Sequence, residues 1–356
     1  MRILLISYDL RRRGGIERLS ADVGEALRGQ GHQLVVISTR RLGPGPLGRA
    51  LGQLWFLGRL ALACRRCDEL FSMHALLLSQ VDWLLPRRLP RLCWLHGVEV
   101  WGTALPPLAP ALRRCRQLLA SSSFTMDRLL AEQGPWPPVQ VLHPPSRLWD
   151  GLPLPASLAP KPTGLRLLTV ARMAADERYK GHELVLQALV QLGQGNWHWQ
   201  IVGSGNDRLR LEALTCSLGL GEQVTFLGDL SDDQLRQAYG DCNLLVMPSS
   251  YGLRPDGCAT GEGFGIAYLE AALAGRASLG CTLGGQTDLI LDGETGWLVE
   301  PEVEAVALVL RQALQHPTEL MRRGVAARQQ ALANLVRNEF PVVLQNALHQ
   351  ELINEF

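Results

Sequence analysis

Two carboxylates, Glu262 and Glu270, stand seven residues apart in the stretch EGFGIAYLEAALAG. A helix opening near Gly265 would carry an apolar stripe of Ile266, Leu269 and Leu273, and Glu270 falls on that stripe. An inward carboxylate is costly unless something pairs with it or hydrogen-bonds to it. Two hydroxyls of a ribose would satisfy it, and so would a neighbouring arginine. Glu262 precedes the helix between Gly261 and Gly263, which permit a tight backbone with its N–H groups turned outward. Arg172 and Lys180 bracket MAADERY, after one apolar run and before a helical pattern. A planar fork and a point charge together suit a diphosphate. The competing reading is an exposed loop in which Asp176, Glu177 and Arg178 pair among themselves.

Weaker signals accompany these. Gly14 and Gly15 open a helix whose free N–H groups could cradle an anion, though a tight turn explains them as well. Gly203-Ser204-Gly205 lacks the third glycine of a dinucleotide fingerprint, and no acidic residue ends the next strand. Cys64 and Cys67 form a lone Cys-x-x-Cys without a second pair or a histidine cluster, which favours free thiols over a zinc or redox site. His96-Gly97 follows the run LCWL.

Most of the candidate polar residues fall just after apolar runs that read as strands. RILLISY, HQLVVIST, RLCWLHG, QLLAS and VQVLHPP alternate with helical patterns such as GIERLSADVGEALRGQG. A proline-rich stretch, 144–164, reads as a linker. The alternation then restarts with LRLLTVAR, WHWQIVGSG, QVTFLG, NLLVMPSS, ASLGC and GWLVE, and closes in two or three helices. Strands that are apolar throughout, alternating with helices, predict an α/β fold of two doubly wound parallel sheets with a cleft between them. Ligands in such folds gather beyond the carboxyl ends of the strands. The expected domains are 1–155, 156–330, and terminal helices over 331–356 that return to the first domain.

The chain has 356 residues and a net charge of +1, which supports two cores and gives no reason to expect a nucleic-acid partner. The first strand carries no cleavage site, so it reads as core rather than as a signal peptide, and the chain as cytoplasmic. No apolar run is long enough to span a membrane. RALGQLWFLGRLALACRRC is basic and aromatic enough to dock on a membrane. Its apolar residues nevertheless go round the helix, which favours a covered position in the domain, with peripheral attachment at the inner membrane face the weaker alternative. Arg11, Arg12 and Arg13 could meet an acceptor phosphate or an anionic headgroup, with a solvated loop the simpler reading.

EGFGIAYLE resembles the E-x7-E signature of retaining glycosyltransferases of family 4, which have the GT-B fold. GGIERLSADVGEAL, LHGVE, VARMAADERYKGHELVLQAL, IVGSG, VTFLG, LLVMPS, GGQTDLI and GETGWLV follow in that family's order. The resemblance implies transfer of a hexose-type sugar from a UDP-, GDP- or ADP-sugar to a hydroxyl acceptor: a glycan, a lipid or a small molecule. Glu270 would hold the ribose, and Arg172 and Lys180 the diphosphate, with Gly15 approaching it through backbone N–H. Glu262 and the backbone of Phe264, Gly265 and Ile266 would hold the sugar, and His96 would touch it near the reacting bond. No Asp-x-Asp is present, so neither a metal nor a cofactor is expected, and no nucleophile is assigned. Asp288 stands where the family often has Glu, and YGLRPDGCATG (251–261) is longer than the usual link, so a flap beside the sugar pocket or an inert insertion is expected there. A sugar-nucleotide epimerase-like enzyme and a non-catalytic nucleotide-sugar-binding protein of the same fold are the alternatives.

Overall fold

A computed structural model describes residues 1–9, 15–40, 43, 45–150, 152–155, 164–193, 195–337 and 340–349. The chain forms two compact units. One gathers Met1–Pro145, Asp256–Cys258 and Asn338–Phe356, the other Ser146–Pro255 and Ala259–Arg337.

The first unit holds strands β1 (Arg2–Ser7), β2 (Gln33–Ser38), β3 (Glu69–Ser72), β4 (Arg91–Leu95), β5 (Gln117–Ala120) and β6 (Val139–Val141). They lie parallel in the order β2-β1-β3-β4-β5-β6. Ile3, Leu4, Leu5 and Ile6 of β1 are all fully buried, because helices cover both faces of a parallel sheet and leave no solvent side for alternation. The helix Gly15–Gly29 turns Leu19, Val23 and Leu27 onto one face, spaced by four, to meet Ile3, Leu5 and Trp94. Sequence analysis did not separate β3. That strand has only four residues, and its Glu69 is buried as an ion pair with Arg116 at 2.6 Å, so its apolar signal is short and interrupted.

The second unit holds β7 (Leu165–Val170), β8 (Trp197–Val202), β9 (Val224–Gly228) and β10 (Leu244–Val246). A two-stranded antiparallel ribbon follows, β11 (Gly252–Leu253) and β12 (Ala259–Thr260), within the long 251–261 segment. β13 (Ala277–Cys281) and β14 (Gly296–Val299) complete the main sheet, parallel in the order β14-β13-β10-β7-β8-β9. That order reverses direction between β7 and β10, which makes their diverging ends a topological switch point.

The expected linker and domain boundary shift. Leu148 and Trp149 are buried in the second unit's core, Arg236 donates to the Leu148 carbonyl at 2.8 Å, and the Trp149 indole donates to the Glu270 carbonyl at 3.3 Å. The division falls at Pro145/Ser146 instead of after residue 155, because two large apolar side chains outweigh the surrounding prolines. The terminal region differs as well. The helix Pro317–Arg337 stays with the second unit, while Phe340–His349 lies in the first. There Leu344 and Ala347 are fully buried, the Phe340 ring lies 5.8 Å from that of Trp94 and tilted by 31°, and Arg116 donates to the Ala347 carbonyl at 3.0 Å.

The helix Gly45–Ala63 corrects the expectation of a covered position. It buries Gly48, Gly52, Phe56 and Leu60, one face spaced by four. The opposite face leaves Leu47, Leu51, Leu54 and Leu62 between 46% and 71% exposed. Cys64 and Cys67 just beyond it are free thiols, and burial pushes both above their ordinary range. No helix among the described residues is long and apolar enough to cross a membrane.

Replacing Leu344 by Ala should cost the first unit about 2–5 kcal/mol, the usual penalty for emptying a fully buried leucine site. The urea midpoint of that unit's unfolding transition would drop accordingly.

Candidate functional site

The second unit collects the loops that leave the carboxyl ends of its central strands, and close main-chain approach fixes their paths. A Cβ on Gly203 would sit 2.2 Å from the Ala171 carbonyl oxygen, and one on Gly205 2.0 Å from that of Met173. The Gly-x-Gly after β8 is therefore explained by two loops packing backbone to backbone. Gly181 has φ +85°, and a Cβ there would lie 2.6 Å from the Pro248 carbonyl oxygen. Beside it the Ser250 amide donates to the Tyr179 carbonyl at 2.9 Å. The loop after β7 is thus fastened to the loop after β10, on the two sides of the switch point.

That fastening sets Lys180 against Glu262, with Nζ 2.6 Å from Oε2 and both side chains nearly covered, 13% and 12% exposed. Ser249 Oγ donates to the same carboxylate oxygen at 3.4 Å. Burial pulls the ammonium down, but the Glu262 carboxylate and Tyr179 outweigh it, so Lys180 titrates above its ordinary value and stays charged. The Glu262 carbonyl accepts from the Gly285 amide at 2.7 Å. A Cβ on Gly285 would fall 2.2 Å from the Gly263 carbonyl oxygen, so glycine is required there too. The buried Gln286 amide donates to the Cys281 carbonyl at 2.8 Å and the Leu283 carbonyl at 2.9 Å, holding the turn after β13. Gly265, at φ +89°, caps the helix Ile266–Leu273, and a side chain there would strike the Tyr268 ring. Phe264 is buried at the helix mouth.

Arg172 lies on the same loop as Lys180, is 74% exposed and pairs with Glu177. Arg178 turns away to Asp207 at 2.8 Å. Hydrogen bonds from Arg210 and Arg178 hold the Asp207 carboxyl down to about 2. Glu270 shares the edge of its helix with Ile266, and both are half-buried, whereas Leu269 and Leu273 face the core. Its carboxylate accepts from Ser146 Oγ at 3.0 Å and from the Tyr239 hydroxyl at 2.9 Å. Burial first, and the Glu270 charge second, push the Tyr239 phenol well above its ordinary value, so it remains a donor. Asp288 is half-buried in the turn Gly285–Asp288.

In the first unit, His96 follows β4. Its Nε2 is 2.8 Å from the Met73 carbonyl, its ring stacks on His74 at 6.0 Å, and its backbone N–H donates to Glu99 at 2.5 Å. Burial lowers the imidazole's pKa. Glu99 opposes that shift and His74 adds to it, so the ring is neutral, with Nε2–H donating to Met73 and Nδ1 left as the basic nitrogen. Gly15 begins the helix Gly15–Gly29; Gly14 and Arg11, Arg12 and Arg13 lie outside the described residues.

The structure therefore brings Lys180, Glu262, Phe264, Gly265 and Ile266 together, with Arg172 farther along the Lys180 loop and Glu270 one helical turn on from Ile266. Sequence reasoning missed Ser146, Tyr239 and Gln286. Ser146 was hidden in an apparent linker. Tyr239 had no spacing relation to Glu270. Gln286, in GGQTDLI, was signalled only by the two glycines before it. No group of three or more metal-ligating side chains occurs among the described residues.

Residues 156–330 match the sequence model of the family described as glycosyl transferases group 1. Among individual proteins, the chain is 28% identical over 264 residues to the GDP-mannose-dependent alpha-(1-6)-phosphatidylinositol monomannoside mannosyltransferase of Mycolicibacterium smegmatis, covering 67% of this chain and 64% of that one. The match thus spans just under two thirds of that relative. A second relative, the lipopolysaccharide core biosynthesis mannosyltransferase LpcC of Rhizobium leguminosarum, is 26% identical over 54% of this chain and 52% of its own. Sucrose-phosphate synthase from Thermosynechococcus elongatus superposes with a TM-score of 0.80 at 21% identity, over 99% of each chain. Anabaena HepE, solved with UDP-glucose, gives 0.73 at 17% identity, over 98% of this chain and 100% of that one. The fold is accordingly the one expected, α/β with two Rossmann-like parallel-sheet units, as in the GT-B glycosyltransferases.

Beside the site, His182 is 4% exposed, and its Nε2 has no hydrogen-bond partner among the described residues. Burial, with Lys180 adding and Asp207 opposing, holds its pKa at about 4 against an ordinary 6.5. The unfolded chain takes up this proton near 6.5 and the native chain only near 4. Stability should therefore fall as the pH drops through that window and level off below it, by about 3 kcal/mol at most. Urea midpoints measured at pH 7.5 and 4.5 test this, and His182→Leu should flatten the difference.

Proposed function

We propose that this chain is a retaining glycosyltransferase that moves a hexose-type sugar from a nucleoside-diphosphate sugar to a hydroxyl acceptor. The observation that carries the reading is the Lys180–Glu262 pair at the switch point of a Rossmann sheet, within the region that matches glycosyl transferases group 1. A switch point is where such sheets take nucleotides, and a charged lysine there suits a diphosphate. The named relatives support the class: two are mannosyltransferases, one of them GDP-mannose-dependent by name.

In this reading Arg172 exchanges Glu177 for phosphate oxygens and grips them as a fork, while Lys180 offers a point charge behind them. Charge builds on the diphosphate as the glycosidic bond breaks, and cations already in place lower that barrier. The N–H groups at the mouth of the helix Ile266–Leu273, from Phe264, Gly265 and Ile266, and the Glu262 carboxylate receive the sugar. Glu270, oriented by Ser146 and Tyr239, accepts from the ribose hydroxyls. Gly15 and His96 enter through the family resemblance alone, as proposals for the acceptor-side unit. No side chain is assigned as a nucleophile, and retention is read as same-face attack assisted by the departing phosphate. Arg and Lys take the charge-neutralising part that a metal plays elsewhere. No cofactor is proposed, and the donor is a UDP-, GDP- or ADP-sugar.

A thermal-shift panel of UDP, GDP, ADP and their sugars tests the donor. One base should raise the melting temperature, since a ligand at a hundred times its Kd adds about 2.7 kcal/mol. Glu270→Gln should weaken that nucleotide by about 1–3 kcal/mol. Silence across the panel at millimolar ligand would sink the donor site, and a product of inverted anomeric configuration by proton NMR would sink retention.

A further inference from the structure

The helix Gly45–Ala63 presents a second kind of surface. Leu47, Leu51, Leu54 and Leu62 recur at intervals of four, three and eight, so they fall within about 80° of arc and run for about 22 Å along the axis. Their exposures are 71%, 46%, 66% and 67%. They lie opposite the buried row of Gly48, Gly52, Phe56 and Leu60, so the protein's own core is not their partner.

Arginine dominates the charge around this stripe. Residues 26–67 contain seven arginines and neither Asp nor Glu. Arg59 stands exposed on the helix, and Arg65 and Arg66 are exposed just past its end. Trp55 lies beneath the guanidinium groups of Arg40 and Arg59, at 4.0 and 5.2 Å. A cavity of about 570 Å³ adjoins another side of the helix, lined by its Arg49, Gln53, Phe56 and Leu57 and, from outside it, by Asp9 and Trp83. Trp83 is 72% exposed, a side chain with one apolar and one polar edge.

We propose that this face is a docking surface for an anionic lipid bilayer. The leucines would enter the boundary between headgroups and acyl chains while the arginines bind the lipid phosphates, as amphipathic basic helices lying in the membrane plane do. Charge decides against a second copy of the chain. A two-fold pairing would set one arginine-rich face against itself, and like charges facing each other oppose association.

The full-length chain tested by flotation with phosphatidylcholine vesicles containing 30% phosphatidylglycerol should rise with the vesicles. It should stay behind with pure phosphatidylcholine, and rise less in high salt as screening removes the arginine contribution. Leu51→Ser and Leu54→Ser combined should lower partitioning by about tenfold or more per leucine. Both sites are exposed, so the melting temperature should hold. Three outcomes would each overturn the proposal: no flotation of the parent chain with anionic vesicles, equal flotation of the double variant, or a parent dimer that the double variant converts to monomer. Nucleotide binding is expected to be the same in the double variant and the parent, which keeps this test separate from that of the donor site.

Discussion

Lys180 and Glu262 come from opposite sides of the point where the second sheet changes direction, and their contact closes that gap. Each is nearly out of reach of water, so each needs the other: a buried charge that loses its partner costs several kcal/mol. The lysine is held by Gly181 against Pro248, the glutamate by the Gly285 amide on its carbonyl. The positions of Arg172, Gly265 and the helix that carries Glu270 all follow from loops that this pair joins. The pair also holds the lysine ammonium in one place, anchored by the carboxylate opposite it.

Glu270 follows a different logic. Its partners in the structure include two neutral hydroxyls, Ser146 and Tyr239. Hydroxyl donors orient a carboxylate through directional hydrogen bonds. The Tyr239 phenol, pushed well up by burial and by the carboxylate itself, stays protonated and so remains a donor. The carboxylate is thereby held in one orientation on a half-buried helix edge.

Much of this was legible beforehand because it rests on local pattern. Apolar strands followed by glycines gave both sheets, and the helix after Gly265 begins where the glycine and the stripe put it. What was not legible depended on partners distant in sequence. Ser146 meets Glu270 across 124 positions and Tyr239 across 31. The prolines of 144–164 read as linker although Leu148 and Trp149 are core. Apolar residues all round the helix Gly45–Ala63 implied a cover, and the fold covers only one side. Pattern reports that a surface is greasy, whereas only topology reports whether anything lies against it.

The rim of the second sheet is shaped chiefly by side chains that are missing. Gly181, Gly203, Gly205 and Gly285 each bring one stretch of main chain within a methyl group's width of another's carbonyl. Peptide groups thus share with the Lys180–Glu262 pair the work of holding this framework together. Divergence can therefore run far before the architecture gives way, which agrees with a fold shared at TM-scores of 0.73 to 0.80 with proteins only 17–21% identical. A methyl group at any one of these four positions would drive two main chains apart, so contact alone, rather than any chemistry of the site, bars alanine there.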